Sequence, residues 1–371
     1  MIIGFDAKRA FCNSRGLGNY SRYIFRLMST YYPDNQYLLF TPKSDGLYHT
    51  EADNCKTITP EGWINQSIPS FWRSYGMTKD LKHLKPDVYD GMNQELPFGF
   101  AKTGIKSVVT IHDAIFIRYP HMYDPFYRAI FKKKNSYSCN VANRIIAISE
   151  QTKQDIIEFF GVDEQKVDVV YHGCDNIFRQ PISNDKITEI RNKYHLPSEF
   201  LLTVGAIEER KNQLLILEAL HKGHLDIPLV IIGSPTKYLD NIKEKAREYS
   251  LENKIVVLSN VPNEDLPAFY RAASVMIYPS IFEGFGLPIL EALCTETPVI
   301  TSKGSCFEET GGKATVYVDP NNADELAEQI NIVLHDTALR NSMIKEGLTH
   351  SLLFTDEKVA QQMMAIYSGL I

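Results

Sequence analysis

The 371-residue chain has no apolar run approaching the ~18 residues of a membrane span, so any membrane contact expected of it is peripheral. A basic excess is also absent. Lys and Arg total 39 against 45 Asp and Glu, for a formal net charge of −6, and phosphate-backbone binding normally leaves a basic footprint. That argues against nucleic acid as a partner. Cys12, Cys55, Cys139, Cys174, Cys294 and Cys306 are scattered, without C-x-x-C or His-rich spacing. They read as reduced thiols of a cytosolic protein, with no zinc site. The N-terminus opens on the apolar Ile2–Phe5 and lacks the basic start and longer apolar stretch of a signal peptide. A cytoplasmic location is the expectation. No short internal repeat is present. What remains is ordinary globular composition, 44% apolar and 23% charged. At roughly 150 residues per domain, the length suggests two domains.

Apolar strand runs alternate with helical patterns along the chain. Ile2–Phe5, Tyr37–Phe40, Pro86–Tyr89, Lys106–Ile111, Arg144–Ser149 and Val167–Tyr171 read as strands. A polar stretch from Asp45 to Gly76 reads as an acceptor-side loop region; its Trp63 and Trp72 either line a pocket or pack as core. A second series starts at Phe200–Gly205 and continues through Pro228–Ile232, Ile255–Leu258, Val275–Tyr278, Val299–Thr301 and Thr315–Val318. This alternation points to α/β architecture with parallel, doubly wound sheets. The expected organisation is an N-terminal domain at 1–178, a polar linker at 179–199, a second domain at 200–354 and a C-terminal helix at 355–371 that packs back on the first. Phe126 to Asn143 is helical and carries Arg128, Lys132, Lys133 and Lys134. It reads either as a solvated face or as a contact for anionic lipid or an acidic acceptor.

The chain is organised around Ser280–Glu291, which reads as strand, glycine-bearing turn and helix, with Pro288 suited to the first helical turn. Backbone N–H groups from Gly286 and Leu287 onward lack intrahelical partners there and can hold an anion. Glu283 and Glu291 bracket the turn. Carboxylates beside an anion site suit the hydroxyls of the anion's carrier, and a polyhydroxylated phosphate ester satisfies both. The bland alternative is a tight βαβ turn with solvated acids. Arg210 and Lys211 stand before the helix from Gln213, where the helix dipole disfavours cations. A bound anion relieves that conflict, and so does pairing with Glu208 and Glu209. His112 and Asp113 end a strand, the place where ligands bind in open α/β sheets. Gly16-Leu17-Gly18 sits between strand and helix, but Ser21 stands where a dinucleotide fingerprint needs a third glycine. It reads as a phosphate loop or a flexible turn.

Several of these stretches resemble one family, the retaining nucleotide-sugar glycosyltransferases of family 4. Glu283–Glu291 resembles the E-x7-E motif in its E-G-F-G-L-P-x-L-E-A setting, and Gly205–Asn212 is similar to G-x-x-x-x-R-K-N. Thr110–Asp113 resembles T-[IV]-H-D, Gly16–Tyr20 the G-[IVL]-G-R-Y loop, and Asn260–Leu266 the G-x-V-x-x-x-x-L stretch. Departures are Asn19 for a basic residue, Asn260 for glycine, Glu308 for proline and Asp356 for tryptophan. The resemblance spans almost the whole chain. It implies a GT-B fold, two Rossmann-like parallel-sheet domains facing across a cleft.

It also implies roles. Arg210 and Lys211 would hold the donor pyrophosphate, Glu291 the ribose hydroxyls and Glu283 a hydroxyl of the transferred sugar. Phe285, Gly286 and Leu287 would offer backbone N–H groups, Asn260 and Val261 would line the donor site, His112 would lie near the anomeric centre, and Gly16 and Gly18 would close on the phosphates. No D-x-D occurs among these motifs, so transfer is expected to need neither metal nor cofactor. The T-I-H-D and R-K-N combination looks most like bacterial polysaccharide mannosyltransferases. The expected reaction is retaining transfer of a hexose, mannose favoured, from GDP-mannose or a UDP-sugar to a glycan or lipid-linked acceptor in surface polysaccharide biosynthesis, at the inner face of the cytoplasmic membrane. A sugar-nucleotide epimerase and a non-catalytic nucleotide-sugar binder are the alternatives.

Overall fold

A computed structural model describes residues 1–13, 16–44, 46–50 and 52–371. They form two units, one of residues 1–172 with 356–371 and the other of residues 173–355. The first is built on a parallel sheet of β1 (Ile2–Asp6), β2 (Gln36–Phe40), β3 (Cys55–Ile58), β4 (Val88–Gly91), β5 (Lys106–Ile111), β6 (Arg144–Ala147) and β7 (Val167–Val169). Their order is β3-β2-β1-β4-β5-β6-β7. Successive side chains of a strand point to opposite faces, and here both faces are covered. Val108 and Ile146 enter one core with Ile24, Leu27 and Met28 of the Gly16–Tyr31 helix, while Val109 and Ile145 enter the other with Met77, Leu81 and Ile156. A strand buried on both sides is mostly apolar, which explains the near-continuous apolar runs in the sequence. Strand β3 falls inside the stretch read from sequence as a loop region; its residues are only half-buried, so it leaves little apolar signal. Of the two tryptophans, Trp72 is fully buried, and its indole N–H donates to Asp80 at 2.6 Å. Trp63 is 77% exposed.

The Asp356–Ser368 helix belongs to this unit. Val359, Ala360, Met363 and Tyr367 enter the same core as the Gly16–Tyr31 helix. The Tyr367 hydroxyl donates to the buried Asp90 at 2.7 Å and Tyr23 donates to Asp356 at 2.9 Å.

The second unit carries β8 (Leu201–Val204), β9 (Leu229–Ile232), β10 (Ile255–Leu258), β11 (Val275–Tyr278), β12 (Val299–Ser302) and β13 (Thr315–Val318), all parallel, in the order β10-β9-β8-β11-β12-β13. Leu217, Leu220, Leu326 and Ile330 of flanking helices fill one face with Leu229, Ile231 and Ile277. Each fully buried aliphatic side chain of this kind contributes about 1.5–3 kcal/mol. The polar stretch at 179–199 contains the Asn184–Lys193 helix, which packs within this unit on the Leu266–Ala272 helix. Lys193 and Tyr194 anchor it there by donating to Asp265 at 2.7 and 2.9 Å.

Candidate functional site

In the second sheet the strand order reverses between β8 and β11, which lie side by side. The chains leaving their C-terminal ends diverge there, and ligands of open α/β sheets bind at such switch points. After β8, the short turn Glu209–Lys211 leads through Asn212 into the Gln213–Lys222 helix. After β11, residues 279–286 lead into the Leu287–Cys294 helix. The two connections are tied together, since the N–H of Ile281 donates to the Arg210 carbonyl at 2.9 Å.

Glu283 is the centre of this site. Its carboxylate meets Arg210 Nη1 at 2.5 Å and Lys211 Nζ at 2.6 Å, and its residue is 8% exposed. Burial alone would push the carboxyl up, but the charges and hydrogen bonds of Lys211 and Arg210 prevail and hold it at about 2. It is therefore an anion at any working pH. Arg210 also donates to the Phe282 carbonyl at 2.8 Å and to Glu208 at 2.6 Å. Both sequence readings of the Arg-Lys pair thus meet in one structure: the local acid Glu208 binds Arg210, and a more distant carboxylate supplies the anion at the helix start.

Gly286 precedes the Leu287–Cys294 helix with φ +84, a conformation that side-chain-bearing residues rarely adopt. It turns the chain so that Phe285 and Ile289 are buried and Pro288 falls in the first helical turn. One turn in, Glu291 accepts from the Tyr270 hydroxyl at 2.6 Å. Burial raises this carboxyl to about 7, with Tyr270 opposing the rise and Asp175 adding to it. The two glutamates of one motif therefore have opposite electrostatics.

Three contributors escape a reading of the sequence. Tyr278, the last residue of β11, accepts from Lys211 Nζ at 2.6 Å while its ring lies 4.8 Å from that ammonium. Tyr270 holds Glu291, and Ser305 Oγ accepts from the Glu283 N–H at 3.1 Å and donates to its carbonyl at 3.0 Å. A tyrosine at a strand end or in an apolar helix reads as core, and both tyrosines are core; only the contact reveals the second use. Asn260 and Val261 lie beyond β10, two strands from β8, with Asn260 exposed at φ 57. They share the sheet end with Arg210 and Glu283 but are not hydrogen-bonded to that cluster among the described contacts.

In the first unit, His112 follows the C-terminal end of β5 and is 4% exposed. Nε2 lies 2.8 Å from the Met92 carbonyl, an acceptor only, so Nε2 carries the proton and Nδ1 is left as an acceptor. Burial depresses the imidazole to about 4, so it is neutral near pH 7. The Tyr20 ring packs edge-on against it at 4.7 Å and also touches His172 at 4.3 Å. Gly16 and Gly18, read from sequence as a turn before a helix, lie within the first turn of the Gly16–Tyr31 helix. A Cβ on Gly18 would stand 1.8 Å from the Asn13 carbonyl oxygen, so this glycine permits a close backbone crossing. Arg15, which begins that stretch, lies outside the described residues. At the switch point of this sheet, Arg73 donates to Asp6 at 2.6 Å and to Glu95 at 2.9 Å, and Lys134 joins Glu95 at 3.0 Å. Among the described residues no group of three or more His, Cys, Asp or Glu side chains is arranged to hold a metal ion.

Two parallel-sheet units of this kind are the architecture of the GT-B glycosyltransferases. The chain belongs to that enzyme class's family 4, glycosyl transferases group 1: the Glycosyltransferase Family 4 model matches residues 21–176 and the Glycosyl transferases group 1 model residues 186–350. It is 29% identical over 296 residues to the Escherichia coli O-antigen chain mannosyltransferase B, covering 78% of this chain and 76% of that protein. It is 27% identical over 259 residues to the E. coli serotype-specific mannosyltransferase WbdA, covering 67% of this chain but only 32% of that longer protein. Anabaena HepE, solved with UDP and glucose, shares the fold at a TM-score of 0.77 and 18% identity, over 99% of each chain.

Proposed function

We propose that this glycosyltransferase moves mannose from a nucleotide-diphospho sugar, GDP-mannose before UDP-sugars, to a glycan or lipid-linked acceptor, with retention of configuration and without metal or cofactor. The observation that carries the reading is the sharing of one buried carboxylate, Glu283, by Arg210 and Lys211 beside the glycine-opened start of the Leu287–Cys294 helix. A diphosphate entering there exchanges for part of the carboxylate's contact with the two cations. Their charge then stabilises the nucleoside diphosphate as it departs, where negative charge develops. Glu283, released in part, accepts a hydroxyl of the sugar, and the Phe285 to Leu287 backbone steers sugar or phosphate. Glu291 takes the ribose. His112, neutral and with Nδ1 as acceptor, takes a hydroxyl near the anomeric centre. No side chain is assigned as a covalent nucleophile, and the leaving phosphate accepts the acceptor's proton on the face it leaves. The mannosyltransferase relatives support the sugar; UDP with glucose in HepE supports a nucleotide-sugar donor.

The test is a thermal-shift and turnover screen across GDP-, UDP- and ADP-sugars with and without EDTA, since a ligand bound only by the native state raises stability. GDP-mannose should give the largest shift and EDTA should change nothing. Glu283→Ala should lower turnover by roughly 10²–10³-fold. Conversion of the donor without acceptor would point to an epimerase, and binding without turnover to a non-catalytic binder; either result overturns the proposal.

A further inference from the structure

Burying a carboxylate is costly unless its oxygens are hydrogen-bonded, and a core packed for stability alone does without one. Asp90, on β4 of the first unit, is fully buried. It is held by hydroxyl groups from separate elements. Thr110 of β5, the neighbouring parallel strand, donates to one oxygen at 3.1 Å, and Tyr367 of the Asp356–Ser368 helix donates to the other at 2.7 Å. Tyr20 of the Gly16–Tyr31 helix turns its hydroxyl toward the same group, beside Thr110 and close enough to feel the charge of Asp90. All four residues are buried. A satisfied polar cluster of this kind fixes one arrangement of the elements that supply it.

The ring of Tyr20 carries that order to His112, which follows Thr110 at the end of the same strand. The hydrogen bond from Nε2 to the Met92 carbonyl at 2.8 Å fixes one edge of the imidazole. Packing sets its plane. Tyr20 meets the imidazole at 4.7 Å with an interplanar angle of 86°, the edge-to-face geometry that ring pairs favour. His172, in contact with Tyr20 at 4.3 Å, stands 5.8 Å from His112. We infer that Tyr20 is a positioning residue for the transfer: its hydroxyl end is seated on the Asp90 cluster, which Tyr367 completes, and its ring holds the His112 imidazole with Nδ1 presented as an acceptor. The inference rests on the role proposed above for His112, and it gives the Asp356–Ser368 helix a share in that role through Asp90.

The experiment combines steady-state turnover of GDP-mannose with nuclear magnetic resonance of the full chain carrying isotope-labelled histidine, the His112 signals being assigned by their loss in His112→Gln. Tyr20→Leu should move the His112 ring resonances and lower kcat about tenfold to a hundredfold, as loss of reacting geometry does, with the donor KM changed by less than about twofold. Tyr20→Phe, which keeps the ring, should recover all but a severalfold part of that loss. Tyr249→Leu, which removes the ring stacked on His221 at 4.3 Å in the second unit, should leave the His112 resonances in place. Tyr20→Phe and Tyr367→Phe each delete one hydroxyl and little volume. Each should lower kcat severalfold, and the two together no further than either alone, because residues of one network do not act additively. Should Tyr20→Leu not fold, this pair decides alone. His112 resonances unmoved in Tyr20→Leu, a raised KM at unchanged kcat, equal losses in Tyr20→Phe and Tyr20→Leu, or additive effects of the two hydroxyl deletions would overturn the inference. A His112→Gln variant with wild-type kcat would instead remove the role from which it starts, and the resonances keep the two failures apart because they need no turnover.

Discussion

Glu283 and Glu291 are eight residues apart in one motif, yet one is held at about 2 and the other at about 7. The difference is in their neighbours. Glu283 meets two cations, whereas Glu291, half-buried, sits beside a tyrosine hydroxyl, with desolvation raising it and Asp175 adding to the rise. A carboxylate accepts hydrogen bonds on both oxygens, and protonation converts one of them into a donor. Under the proposed ribose role, donor affinity should therefore fall as pH drops below about 7, where Glu291 takes up its proton. Titrating the donor Kd from pH 8 to 5.5 tests this: wild type should weaken severalfold while Glu291→Gln, weak throughout, stays flat. A parallel decline in the variant would remove Glu291 as the cause. At this scale, the charged residues were legible because Arg210 and Lys211 conflict with a helix start unless an anion answers them. That the first anion to answer is Glu283 was not legible, because the pairing joins two connections 72 residues apart.

Elements were legible wherever both faces of a strand are buried, as in β5 and β6, whose apolar residues Val108, Val109 and Ile111, and Ile145 to Ala147, stand close together. Strand β3 was not, because a half-buried edge strand lacks that signature. The attachment of the Asp356–Ser368 helix shows another limit: its apolar face was visible in the sequence, but the hydrogen bond from Tyr367 to Asp90 was not. Burial lifts Asp90 to about 7 from an ordinary 3.8, with Tyr367 and Thr110 opposing the rise and Asp6 adding to it. An acid with a raised folded pKa binds its proton more tightly in the native state, so its contribution to stability is complete below the unfolded value and is lost as pH rises to the folded one. The Tm difference between wild type and Asp90→Asn should therefore shift in the variant's favour between about pH 4 and pH 7 and be constant above. Thermal melts across that range provide the check, and a difference independent of pH would exclude Asp90 as its source.

For the whole molecule, the alternation of strands and helices was enough to read two parallel sheets. The sequence could not show how residues 173–199 are distributed, since polar composition suits an exposed linker and a helix packed by one face equally well. Ile190 is the one fully buried residue of the Asn184–Lys193 helix, too little for an apolar pattern. The first unit, in contrast with the second, is assembled from two separated stretches of chain, 1–172 and 356–371. That has a consequence for biosynthesis. The second unit can be completed as a contiguous segment, while the first, although begun earlier, keeps its Gly16–Tyr31 helix uncovered and Asp90 without its tyrosine until residues 356–371 are available. Released chains truncated after residue 355 should therefore protect the second unit from protease and leave the first open to it, so that the half translated first is the half that finishes folding last.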